Sequence, residues 1–153
     1  MSDVPQWVTP GYLVWRLSNK WRVAVDHALA PLHLTHAQYV ALSSLFGMER
    51  SGLRPSQREL ADHTGLEALY VSKLARSLEA AGFLRRTRDA EDTRVVRLEL
   101  TGDGREAVRP AILRVQALHG RLLAPLGGMD DQRTADLVRD LTALLNTPLD
   151  PSP

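Results

Sequence analysis

Residues 55–76 read PSQRELADHTGLEALYVSKLAR, and their spacing decides how the rest of the chain is read. Ser56 followed three residues later by Glu59 has capping-box spacing, so a short helix opens after Pro55 and runs through Leu60 and Ala61 to about His63. Thr64-Gly65 supplies a turn, and a second helix follows over about 67–81 with Val71, Leu74, Ala75 and Leu78 on one face. Gly82 suits the left-handed position beyond its end. Two helices joined by a short turn containing glycine form the helix-turn-helix pattern, with Ala61 at the close crossing and Gly65 in the turn. Leu60, Leu66, Val71 and Leu74 lock the second helix on the first, which leaves Ala68, Leu69, Ser72, Lys73 and Arg76 facing outward. A face of that width fits a DNA major groove about 12 Å across. A plain helical hairpin has the same turn, so this stretch alone leaves both readings open.

Downstream the hydrophobic period changes. Residues 83–87 and 95–100 are short, partly alternating runs joined by the charged segment Arg88-Asp-Ala-Glu-Asp-Thr93, which predicts a β-hairpin with a polar tip. Thr101 then reads as an N-cap for a helix carrying Ala107, Val108, Ile112, Val115, Leu118 and Leu122 as far as Pro125, with a kink expected at Pro110. A last helix is predicted over about 131–146, with Leu137, Val138, Leu141, Leu144 and Leu145 as its stripe, and the tail 147–153 is expected to be disordered. Upstream, Thr9 and Pro10 announce a first helix that Pro31 ends. Thr35 and Gln38 have capping-box spacing for another, expected to stop near Gly47. The order is four helices, two strands and two helices: a mainly α (α+β) chain.

Composition bounds the function. With 153 residues, 44% hydrophobic and 24% charged, the chain fits one globular domain, 1–153, and excludes disordered or low-complexity classes. The absence of cysteine removes disulfides, thiolate metal sites and thiol catalysis. No apolar run approaches the roughly 20 residues of a membrane span, so a soluble, cytoplasmic protein is expected. The formal charge is +1, and residues 54–97 hold nine basic against seven acidic side chains, a weak imbalance. Of the basic residues 17 are Arg and two are Lys, which fits either a preference for planar contacts or codon bias.

A basic hairpin beside an outward-facing helix gives a second contact to the adjacent minor groove or backbone, and the combination is a winged helix. The motifs Leu34-Thr-His-Ala-Gln-Tyr39, Pro55-Ser-Gln-Arg-Glu-Leu-Ala61, Val71-Ser-Lys-Leu74, Leu78-Glu-Ala-Ala-Gly82, Asp89-Ala-Glu-Asp-Thr-Arg94 and Leu100-Thr-Gly-Asp-Gly104 occur in that order, and the stretch resembles the MarR family of bacterial transcription regulators. The pair Asp92 and Arg94, followed by Leu-Thr-x-x-Gly, is the most specific part. The resemblance implies a winged helix-turn-helix over 34–101, flanked by N- and C-terminal dimerisation helices over 10–30 and 102–146. It implies Ala68, Leu69, Ser72 and Lys73 near bases, Arg94 and Arg88 at the wing, and Asp92 shaping the wing. Ser56, Gln57, Tyr70, Arg76 and Arg86 are the expected backbone contacts, Ser56 and Gln57 because an exposed helix start can hold a phosphate. Leu69-Tyr70 replaces the small hydroxylated residues usual in the family, so base preference does not transfer; Leu69 fits a thymine methyl, and both side chains could equally pack on neighbours.

The implied dimer draws on Val14, Leu17, Trp21, Val115, Leu118, Leu122, Leu137, Leu141 and Leu144, each of which could instead be buried within one chain. Two-fold symmetry implies a pseudo-palindromic operator with half-sites roughly 10 bp apart. A small-molecule effector is implied in a cleft reached by Tyr12, Trp15, Trp21, His36 and Tyr39, although aromatics at helical spacing also serve as core. No metal site is expected, because no pair among His27, His33, His36, His63 and His119 has the helical i, i+4 spacing. No cofactor is expected either, and the motifs of hydrolases, phosphate loops, zinc proteases and dinucleotide binders are all missing, which argues against an enzyme. The expectation is a homodimeric, sequence-specific double-stranded DNA-binding regulator, a repressor open to effector control. The alternative is a winged helix with a nonspecific architectural or protein-binding role.

Overall fold

The computed structural model describes residues 4–150; residues 1–3 and the last part of the expected disordered tail, 151–153, lie outside them. Among the described residues are six α-helices and one two-stranded sheet: α1 Pro10–Leu29, α2 His36–Arg50, α3 Gln57–Thr64, α4 Ala68–Ala80, β1 Leu84–Arg88, β2 Val96–Leu100, α5 Gly102–Leu122 and α6 Gln132–Leu145. This is the mainly helical class with a small wing read from the sequence. The chain packs as two compact units, one ending at Val115 and the other beginning at Gln116.

In the first unit the helix starts follow their capping signals. Thr9 accepts from the Tyr12 N–H at 3.2 Å, with Pro10 at the first helical position. Thr35 and Gln38 close a reciprocal capping box, with bonds of 3.1 and 3.0 Å. The end of α2 differs from the expectation at Gly47. The helix passes through that glycine to Arg50, and the left-handed residue is Gly52, with φ +77°. There Gly52 N–H bonds Glu49 O and Leu53 N–H bonds Met48 O, the paired closure of a Schellman end. The same closure ends α4 at Gly82, where Phe83 N–H reaches Leu78 O. Leu42, Leu45, Leu60, Val71, Leu78, Leu98 and Leu100 are buried in this unit. Their burial orients α3 and α4 and seats the hairpin.

The strands pair antiparallel with Leu84 opposite Leu100, Arg86 opposite Leu98 and Arg88 opposite Val96. A bridge between Ser56 and Arg97, with Leu98 N–H bonded to Pro55 O at 2.9 Å, ties the start of α3 to β2. Thr101 starts α5 as expected: its hydroxyl accepts from Gly104 N–H at 3.0 Å and donates to Gly82 O at 2.6 Å. A Cβ at Gly104 would collide with the Phe83 carbonyl, which explains why the Leu-Thr-x-x-Gly motif ends on glycine. Pro110 lies inside α5.

In the second unit Asp131 caps α6 through Arg133 N–H at 2.8 Å, and the buried Thr134 donates to Gly128 O. Val138, Leu141, Leu144 and Leu145 of its predicted stripe are exposed, while Leu137 is half-buried. Residues 147–150 are exposed and carry neither helix nor strand. No helix of the described residues is long and apolar enough to cross a membrane.

Candidate nucleic-acid interface

The buried face of α4, made by Val71, Leu74, Ala75 and Leu78, fixes which residues point away from the first unit's core. Ala68, Leu69, Tyr70, Lys73 and Arg76 are exposed and Ser72 is half-buried. Leu69 is 61% exposed and Tyr70 45%, so neither is absorbed into packing. The Arg76 guanidinium donates to Ser72 Oγ at 3.0 Å, which joins these two across one turn.

Beside the start of α4 a cleft of about 980 Å³ separates the helix pair from the wing; Gln57, Arg58, Asp62, Ala68, Asp92 and Arg94 are among its lining residues. One helix end and one wing residue expected to meet DNA therefore face each other across a single concavity. Arg58, Arg94 and Arg97 are matched there by Glu59, Asp62 and Asp92. The charges lining the cleft therefore balance.

The wing owes its shape to short local bonds. Asp89 Oδ1 accepts from the N–H groups of Glu91 at 2.9 Å and Asp92 at 3.2 Å, while its other oxygen accepts from Arg97 Nε at 2.9 Å. These donors, the Glu91 N–H foremost, lower the Asp89 carboxyl to about 2. Asp92 binds Arg94 through both carboxylate oxygens at 3.1 Å, and that hydrogen bonding also lowers its pKa. The Arg94 side chain is nonetheless 89% exposed. Held at its Nε edge by Asp92, it keeps the remaining donors of the guanidinium toward solvent.

Several expected contacts also make bonds within the fold. Arg86 Nε donates to Gln57 Oε1 at 3.1 Å, and its backbone N–H donates to Glu79 at 3.0 Å. Arg88 donates to Thr93 O at 2.8 Å and closes the wing tip. Ser56 is buried, not at an exposed helix start, and its hydroxyl serves Glu59, accepting from its N–H and donating to its carboxylate. Arg97 was not singled out in the sequence either. Its guanidinium binds Asp89, Glu59 and Arg54 O and fastens the wing base to α3. Glu49, not singled out at all, accepts from Leu100 N–H at 2.8 Å and Arg105 Nε at 3.0 Å.

Of the expected effector residues, Trp15 is exposed; Tyr12, Trp21, His36 and Tyr39 are half-buried. Tyr12 packs edge-on against Trp7 at 5.6 Å and accepts from Arg16 at 2.9 Å. Burial raises the Tyr39 phenol's pKa. An open groove along α1 is lined by Leu13, Arg16, Leu17, Asn19, Lys20 and Val23, none of the five. Among the described residues no three His, Cys, Asp or Glu side chains form a group able to hold a metal ion.

The MarR family profile matches residues 34–96, the stretch that contains α2, α3, α4 and the wing. An uncharacterised HTH-type transcriptional regulator of Bacillus subtilis, YdcH, is 36% identical over 110 residues, 72% of this chain and 75% of that one. Among solved structures, the MepR–DNA complex of S. aureus superposes with a TM-score of 0.77 at 25% identity, covering 90% of this chain and 97% of that one. CouR from Rhodococcus jostii RHA1 bound to p-coumaroyl-CoA gives 0.74 at 25% identity, with 94% and 96% covered. CouR, described as a transcriptional repressor, has also been solved on a 23-mer DNA duplex.

Proposed function

The chain belongs to the MarR family of transcriptional regulators, and from that premise we propose that it is a homodimeric repressor that reads a pseudo-palindromic operator through α4 and is open to control by a small effector. The observation that carries this reading is the start of the exposed α4 surface, at Ala68, standing across one cleft of the same compact unit from a pinned, solvent-facing Arg94. Ala68, Leu69, Ser72 and Lys73 enter the major groove, and Leu69 offers a methyl-to-methyl contact to thymine. Arg94 reaches the adjacent minor groove. Tyr70, Arg76 and Gln57 hold the phosphate backbone. Asp92, with Ser56, Arg86 and Arg88, acts through the shape of the site.

The exposed apolar residues on α1, including Val14 and Leu17, and those on α6, including Leu141 and Leu144, are surfaces that a second copy covers. The effector reading draws support from the neighbour CouR, solved both on DNA and with p-coumaroyl-CoA. The protein works by binding, without catalysis, in the cytoplasm. Selection of bound sites from a random DNA library by the purified chain tests the proposal. An enriched palindrome with half-sites about one helical turn apart supports it; failure to enrich any motif overturns it.

A further inference from the structure

Away from α4 and the wing cleft, a second concavity of about 310 Å³ in the first unit is lined by Phe46, Glu49 and Arg50 of α2 and by Arg105 and Arg109 of α5. Three guanidiniums face one carboxylate, and that carboxylate is already occupied: Glu49 accepts from Leu100 N–H with one oxygen and from Arg105 with the other. The guanidinium carbons of Arg50 and Arg109 stand 5.9 and 5.7 Å from the centroid of the Phe46 ring. Neither guanidinium forms a hydrogen bond or ion pair among the described residues. Cation–π attraction keeps both near one ring and so holds two like charges together with no acid between them. Their planar forks retain donors suited to an oxyanion, which they bind bidentately. The cleft matches the smallest ligand sites in size.

We propose that this cleft binds a phosphate group, with Arg50 and Arg109 as its two principal ligands and Arg105 as a third donor shared with Glu49. Two guanidinium forks on one small cleft suit the several oxygens of a phosphate better than the two of a carboxylate. The group is carried either by a small phosphorylated molecule or by a backbone phosphate of bound DNA. The site is independent of the α4 surface, and its existence does not rest on the function proposed above.

Calorimetric titration of the full chain with inorganic phosphate, in a chloride buffer, tests the site. Saturable binding of one phosphate per chain is expected, weakened at least about tenfold in Arg50→Gln and in Arg109→Gln. The control is Arg139→Gln, whose arginine on α6 pairs with Asp136 and Asp140 and should leave phosphate binding unchanged. Unfolding midpoints in phosphate-free buffer should stay close to the parent's, because each cleft arginine gives the fold only an exposed cation–π contact. No saturable binding, or equal binding by the Arg50→Gln, Arg109→Gln double variant, overturns the proposal. The source is then read from the salt dependence of DNA affinity. A slope of log K against log salt that is shallower by about 0.9 for each cleft arginine replaced assigns the phosphate to DNA. An unchanged slope, with phosphate binding abolished, assigns it to a small molecule.

Discussion

Arg94 combines two properties that a DNA contact needs: Asp92 fixes its orientation and solvent reaches its free edge. Replacing it with alanine removes the donor and should weaken operator binding by about 1–3 kcal/mol, measured as a loss of affinity at physiological salt; unchanged affinity would take Arg94 out of the interface. Lys73 belongs to a different part of the surface, the exposed face of α4. Lys73→Ala should change which bases are selected as well as the affinity, and a uniform loss across sequences would move it to the phosphate backbone. Gly104 is constrained from inside, because any Cβ meets the Phe83 carbonyl. Gly104→Ala should lower the unfolding free energy by about 1–3 kcal/mol in denaturant titration. The outward residues of α4 were legible in the sequence because helical periodicity alone assigns faces. The roles of Ser56, Arg86, Arg97 and Glu49 were not. Arg97 binds Glu59 across 38 positions and Glu49 binds Arg105 across 56, so no local pattern records either bond.

At the scale of elements, the wing is a turn organised by one carboxylate. Asp89, lowered to about 2 chiefly by the Glu91 N–H and then by Arg97, favours the folded turn in its ionised form. A group depressed in this way contributes stability above its unfolded pKa of about 4, and that contribution is lost as the pH falls toward 2. Amide exchange at Glu91 and Asp92 should therefore hold steady from pH 7 to 5, after correction for the intrinsic rate, and lose protection between about pH 4 and 2. In Asp89→Asn the acid-dependent change should vanish. Protection that changes between pH 7 and 5 in the parent would contradict this account of the turn. The elements themselves were largely readable: Thr9, Thr35 and Ser56 mark real helix starts, and the two short alternating runs became β1 and β2. The end of α2 was misplaced because both Gly47 and Gly52 are local stop signals. The choice between them is made by the paired bonds to Met48 and Glu49 carbonyls that only Gly52 permits.

At the scale of the whole molecule, each compact unit leaves apolar side chains on a helix surface, Val14 and Leu17 in the first, Leu141 and Leu144 in the second. A regulator that places two α4 helices on one duplex must hold two copies together. Leu141→Glu combined with Leu144→Glu should shift sedimentation from dimer to monomer and weaken operator binding at least about 10²-fold, since the second half-site is no longer engaged by the same particle. A dimer that persists with full affinity would place the interface elsewhere. The sequence marked these stripes as apolar, yet Val115 and Leu118 of the same candidate set are buried in the chain. Periodicity identifies an apolar face without saying whether the chain or its partner covers it.

Whether this molecule discriminates DNA sequence through α4 and the wing is decided by the affinity of the purified chain for its selected site and for a scrambled duplex at two salt concentrations. Binding at least about 10³-fold tighter to the selected site is expected, with that preference retained as salt rises. Equal affinity for both duplexes, collapsing in parallel with salt, would contradict it.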